Sequence, residues 1–316
     1  MTTHDERHAA HTGNAHGTPA HGAHAHSHQH AHDHDHADID WSAMAPLLER
    51  QAETQSSLYA DAAAWLGTLV PVSGVRRVLD VGSGPGVITG LLAEAFPAAE
   101  TVAVDGSPEL LAIARSRAEA RGLGSRVSTL HAELPAQFDA LGEADVIWAS
   151  ESLHHIGDQR AALASFAGLL RPGGLLVLVE GGLPARRLPW NIGFGRPGLE
   201  ARLDAAYADR FGAMRASLPD SKEEVDDWRG LLAGAGLVPS GTRSFLSDIP
   251  APVPPVVREQ IVAQFERSRS GLGEHLAADD RDTLDRLLDP SDPDSLHHRP
   301  DVFQLVAKTV HTARKG

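Results

Sequence analysis

Residues 78–86 read VLDVGSGPG, with Asp80, Gly82, Gly84 and Gly86 at every second position. An apolar run that ends in an acid and breaks into glycines is a strand turning sharply, and such a turn brings peptide N–H groups close to a ligand. A second run, ETVAVD at 100–105, ends in Asp105, a carboxylate suited to accept both hydroxyls of a ribose. Spacing and charge decide the ligand. A dinucleotide turn has the pattern G-x-G-x-x-G and faces a pyrophosphate. Here the pattern is G-x-G-x-G, Val87 stands where the third dinucleotide glycine belongs, and the Asp80 carboxylate would oppose a pyrophosphate. The same carboxylate suits a ligand that carries an ammonium and a sulfonium and no phosphate. S-adenosylmethionine (SAM) is such a ligand.

These residues need a sheet to hold them. RRVLDV, ETVAVD, RVSTLH, ADVIWAS and GLLVLVE read as strands, with helices between them at 86–96, 108–121 and 159–170. Short apolar strands alternating with helices imply a parallel sheet covered on both faces. Asp80, Asp105 and Glu180 each close one of the strands. Residues 41–75 carry apolar side chains at helical spacing and give one or two amphipathic helices before the first strand. After Glu180 the pattern changes. Residues 181–235 read as helical after a Gly/Pro-rich beginning, and GLVPSGTRSFL reads as a strand. Helices follow at about 254–270 and 277–289, and DVFQLVAKTV is the final strand.

Composition narrows the class. With 316 residues, 42% of them hydrophobic, the chain can bury a large core. No apolar run approaches the roughly 20 residues of a membrane span, and the polar, His-rich beginning has no secretory h-region. The absence of cysteine fits a cytoplasmic protein and excludes thiolate nucleophiles and Cys-held metals. A formal charge of -14 without a dense Lys/Arg cluster argues against nucleic acid as a partner.

Residues 1–40 hold 12 of the 19 histidines and almost no large apolar side chain, so the expectation is a disordered tail. From His24 the histidines alternate: His26, His28, His30, His32, His34 and His36 follow, with Asp33 and Asp35 among them. In an extended chain alternate side chains share a face, so neighbouring imidazoles suit zinc or nickel.

From about Trp41 onward the chain resembles the class I SAM-dependent methyltransferases. VLDVGSGPG resembles the family's first motif and VAVDGSP its second, ADVIWASESLHHI its strand-4 segment, and LRPGGLLVLVE its passage into strand 5. LRPGG and LHHI are most similar to the branch acting on small molecules. The resemblance implies an α/β fold, a Rossmann-like seven-stranded sheet with an antiparallel last strand, preceded by helices and carrying helical cap inserts at about 181–215 and 249–300. It also implies that Gly82, Gly84 and Gly86 line the methionine and ribose, and that Asp105 holds the ribose hydroxyls. Where the family often has Gly-Asp after strand 3, this chain reads His131-Ala132-Glu133, so Glu133 takes the adenine contact one place later.

The methyl of SAM is activated by its sulfonium, so the protein mainly aligns the reactants and excludes water. A base is needed only for a protonated acceptor. Ser150, Glu151, His154 and His155 follow strand 4. Either histidine suits proton acceptance, or the pair simply fixes the turn; Ser150 suits the wall of the cofactor pocket. In 181–198, Trp190 and Phe194 suit closure over a substrate, and Arg186 or Arg187 suits a carboxylate. The expected function is methyl transfer from SAM to a small molecule by in-line displacement. The alternative is a SAM-binding or metal-buffering protein without catalysis.

Overall fold

The computed structural model describes the backbone of residues 41–316 and the side chains from Met44 onward. Two helices lead in, α1 (Trp41–Thr54) and α2 (Ser56–Leu69). Then come β1 (Arg77–Val81), α3 (Val87–Ala95), β2 (Glu100–Asp105), α4 (Pro108–Ala120), β3 (Val127–His131), β4 (Ala144–Ser150), α5 (Gln159–Leu169) and β5 (Leu170–Arg186). The remainder is α6 (Leu199–Ser217), α7 (Trp228–Gly234), β6 (Val238–Ile249), α8 (Pro255–Leu272), α9 (Ala278–Leu288) and β7 (Gln304–Arg314).

Helix starts are written locally. Ser107, Asp158 and Asp227 cap α4, α5 and α7 by accepting from the N–H groups of Leu110, Ala161 and Gly230, which satisfies donors that the first helical turn leaves unpaired. The strands form one sheet in the order β3-β2-β1-β4-β5-β7-β6. The first five are parallel, and β7 runs antiparallel to both β5 and β6. This is the Rossmann-like seven-stranded arrangement with an antiparallel last strand.

Alternation of the strands divides the core. Leu79, Val81, Ile147, Ala149, Leu176 and Leu178 pack with α5 and α7 on one face. Val78, Val146, Trp148, Val177, Val179 and Val310 pack with α2, α3 and Phe96 on the other. A third apolar cluster draws on both inserts: Leu188, Leu199 and Leu203 meet Val257, Ile261, Phe265, Leu284 and Val302.

Boundaries of β5 and β7 differ from the sequence reading. Glu180 does not close its strand; β5 runs on to Arg186, with Leu183 opposite Ala307 and Arg186 opposite Leu305. Gly181 and Gly182 adopt φ of 71° and 128°, so residues that suggested a turn instead bulge the strand. A side chain at Gly182 would strike the Ala307 carbonyl oxygen at 2.2 Å. The last strand starts later than DVFQ suggests, because Val302 is fully buried in the cap cluster. Among the described residues no helix is long and apolar enough to cross a membrane.

Candidate functional site

The sheet reverses direction of growth between β1 and β4, the place where open α/β sheets bind ligands beyond the carboxyl ends of their strands. The turn after β1 lies there. Gly82, Gly84 and Gly86 have φ of 71°, 53° and 77°, a region costly for any residue with a Cβ. Gly82 and Ser83 donate to the Val104 carbonyl at 2.9 and 3.0 Å. Gly84 donates to Asp105 Oδ2 at 2.8 Å, and Ser107 donates to Oδ1 at 2.9 Å. Asp105 therefore clasps two turns together. Burial pushes its carboxyl pKa up, against the pull of the Ser107, Gly84 and Gly106 amides.

These residues fit SAM. A Cβ built on Gly84 would meet nothing within 4 Å, so the tip of the turn faces open space. Each Asp105 oxygen accepts one N–H and keeps a lone pair for a ribose hydroxyl. Asp80 sits differently. It is 1% exposed, beneath the turn, and accepts from the Thr89 hydroxyl at 2.6 Å. Burial raises its pKa to about 7. Ser150 ends β4 beside buried Tyr59 of α2. Tyr59 also neighbours Glu151, which has φ 49° and pairs with Lys308. Glu133 is exposed on the loop after β3. Its neighbour Ala132 donates to the Asp105 carbonyl at 3.1 Å.

Beyond β4 the two histidines separate in role. His154 Nδ1 lies 3.1 Å from Glu180 Oε2, and the Leu153 N–H donates to Glu180 Oε1 at 3.1 Å. His155 lies against His154 with ring centroids 4.4 Å apart and planes inclined by 48°. Arg215 of α6 donates to the carbonyls of His154 and Ile156 at 2.8 and 2.6 Å, so a cap helix fixes this turn. His154 and Glu180 line a cavity of about 650 Å³, with Phe211, Arg215, Lys222 and Trp228 on other walls. A histidine oriented by a buried carboxylate and bordering a cavity is arranged to take up a proton.

The cap residues also sort themselves. Trp190 is 72% exposed and covers Gly198, where a Cβ would meet its ring at 2.5 Å. Phe194 lies under the Arg286 guanidinium at 4.0 Å, inside the cap. Arg186 pairs with Asp204 at 2.7 Å, and Arg187 has no such partner among the described residues. The sequence reading missed Tyr59 and the His154–Glu180 pairing. Tyr59 carries no signal beyond its place on an apolar helix face, whereas Glu180 stood out as an acid closing an apolar strand. The tail histidines His24, His26, His28, His30, His32, His34 and His36, read as zinc or nickel ligands, lie outside the described residues.

Residues 78–174 match a family described as methyltransferase domain. Over 195 residues the chain is 33% identical to a trans-aconitate 2-methyltransferase of Methylobacterium radiotolerans, covering 53% of this chain and 65% of that one. It is 34% identical over 167 residues to a demethylmenaquinone methyltransferase of Thermus thermophilus, covering 51% and 74%. A trans-aconitate 2-methyltransferase of Methylobacterium nodulans is 33% identical over 207 residues, covering 60% and 77%. The matched residues hold the glycine turn, Asp105 and strands β1, β2 and β4, the parts that fit SAM. With that turn, that sheet order and those relatives, the chain belongs to the class I SAM-dependent methyltransferases.

Proposed function

We propose that the protein transfers a methyl group from SAM to a small-molecule acceptor, with His154 receiving the acceptor's proton. The observation that carries the acceptor side is the His154–Glu180 pair beside a cavity of about 650 Å³, a volume suited to a small molecule. The relatives' names, trans-aconitate and demethylmenaquinone, also support a small acceptor. Bound SAM supplies a methyl group already activated by its sulfonium.

The chain's own residues supply the rest. Gly82, Gly84 and Gly86 present backbone to the cofactor, Asp105 holds its ribose, and Asp80 contributes negative potential from beneath. Glu133 and Ser150 border it. With Glu180 charged, Nδ1 of His154 carries the proton and Nε2 keeps the lone pair for the acceptor. Phe211 and Trp228 give the cavity apolar walls.

Incubating the full chain with methyl-labelled SAM and a small-metabolite extract tests this. Label should move into a small product as S-adenosylhomocysteine forms. His154→Gln should lower kcat about 100-fold with cofactor affinity within twofold. Asp105→Ala should weaken SAM at least tenfold, since two charge-assisted bonds are worth roughly 2–4 kcal/mol. No consumption of SAM above an extract-free control would favour cofactor binding without catalysis.

A further inference from the structure

Arg187 begins the cap directly after β5, and its surroundings are built with care except at its own charge. Its N–H donates to both oxygens of Glu200 at 3.0 and 3.1 Å. Its carbonyl accepts from Phe303 at 3.1 Å. The backbone is thus fixed from α6 and from the segment leading into β7. The guanidinium, by contrast, makes no hydrogen bond or ion pair among the described residues. Half-buried beside the cap cluster, it has Glu200, Tyr207, Asp204 and Arg186 as its charged or ionisable neighbours.

Each of those neighbours is already engaged. The Glu200 carboxylate accepts the amides of Arg187 and Leu188. Asp204 pairs with Arg186 at 2.7 Å. The Tyr207 hydroxyl meets Ser268 Oγ at 3.0 Å. Other cap arginines are satisfied: Arg196, Arg202, Arg286 and Arg299 each meet an aspartate. The cations lining the cavity are also taken, Arg215 by carbonyls and Lys222 by Asp158. A guanidinium taken partly out of water without a fork-matching partner is costly, and an incoming carboxylate recovers that cost with two parallel bonds.

Resting on the methyltransferase reading above, we propose that Arg187 binds a carboxylate of the methyl acceptor, which is therefore a small organic acid. Position supports the span. Tyr207 stands one helical turn, about 6 Å, before Phe211, which borders both His154 and the cavity. Arg187 and Tyr207 do not themselves line that cavity, so an acid anchored at Arg187 must lie along α6 between Tyr207 and Phe211 to reach His154. Burial holds the Arg187 pKa below its ordinary value, against the upward pull of Glu200, Tyr207 and Asp204.

The test uses the full chain saturated with S-adenosylhomocysteine and a panel of small di- and tricarboxylic acids, each paired with its neutral amide. Calorimetry should find at least one acid that binds while its amide does not. Arg187→Gln should weaken that acid tenfold or more, and Arg187→Lys should restore part of the loss, with S-adenosylhomocysteine affinity unchanged in both. Normal S-adenosylhomocysteine binding with no acid bound, or acid binding unaltered in Arg187→Gln, overturns the anchor and leaves the methyltransferase reading standing. Failure of the unaltered chain to bind S-adenosylhomocysteine overturns both.

Discussion

Asp80 gives the apo protein a pH signature. Burial raises its carboxyl from 3.8 to about 7, a shift that the Thr89 hydroxyl only partly offsets. A carboxyl that holds its proton more tightly when folded stabilises the protein below the unfolded value and loses that contribution as pH rises through 7. The shift corresponds to roughly 4 kcal/mol at most. Without SAM, melting temperature should therefore fall between about pH 4 and 7 relative to Asp80→Asn, whose stability should vary less. Parallel profiles for the two proteins would contradict the assignment. Asp80, Asp105 and the three glycines were legible because their spacing is local. Pairing was not. His154 and Glu180 stand 26 positions apart, and Tyr59 reaches Ser150 from a helix that precedes the whole sheet. Nor does the sequence distinguish Arg186, which finds Asp204, from Arg187, whose guanidinium finds no partner among the described residues; that depends on how α6 lies against the end of β5.

The turn between β1 and α3 does two separable jobs. At Gly86 a Cβ would lie 2.6 Å from Ala114 Cβ and 2.8 Å from its Cα, so this glycine lets α3 and α4 approach. At Gly84 it would meet nothing, so this glycine leaves room above the turn. Gly86→Ala adds overpacking to backbone strain and should cost roughly 3 kcal/mol in denaturant unfolding. Gly84→Ala should cost only about 1 kcal/mol yet weaken SAM more than its stability loss implies. Equal stability losses, or SAM affinity untouched in Gly84→Ala, would refute the division. The same elements show how periodicity succeeds and fails. The parallel strands announced themselves as apolar runs because helices cover both faces. The outer part of β5 did not, since Gly181, Gly182 and Pro184 suggest a turn and only pairing with β7 extends them. Val302 misled in the opposite sense, its apolar character serving the cap rather than a strand.

The three largest apolar clusters of the described residues lie two on the sheet and one in the cap. The cap cluster joins segments on either side of β6, which the sequence presented as separate inserts and whose shared core no local pattern reveals. Ile261 is fully buried in it. Ile261→Ala should cost about 2–5 kcal/mol and speed hydrogen exchange in α6, α8 and α9 while β1, β2 and β4 stay protected. Uniformly faster exchange would mean that cap and sheet unfold as one unit. The sheet order has a consequence for synthesis on the ribosome. β7 lies between β5 and β6, yet it follows both in the chain. The parallel strands can pair as they emerge, but the outer edge of β5 has no neighbour until β7 arrives. Between Arg186 and Gln304 lie about 118 residues of translation, roughly 6–24 s at about 5–20 residues per second. For that interval every nascent chain carries an open strand edge, to which neighbouring chains on one messenger could add. The excess of acidic side chains, repelling like copies, is a natural brake on that polysome-borne aggregation.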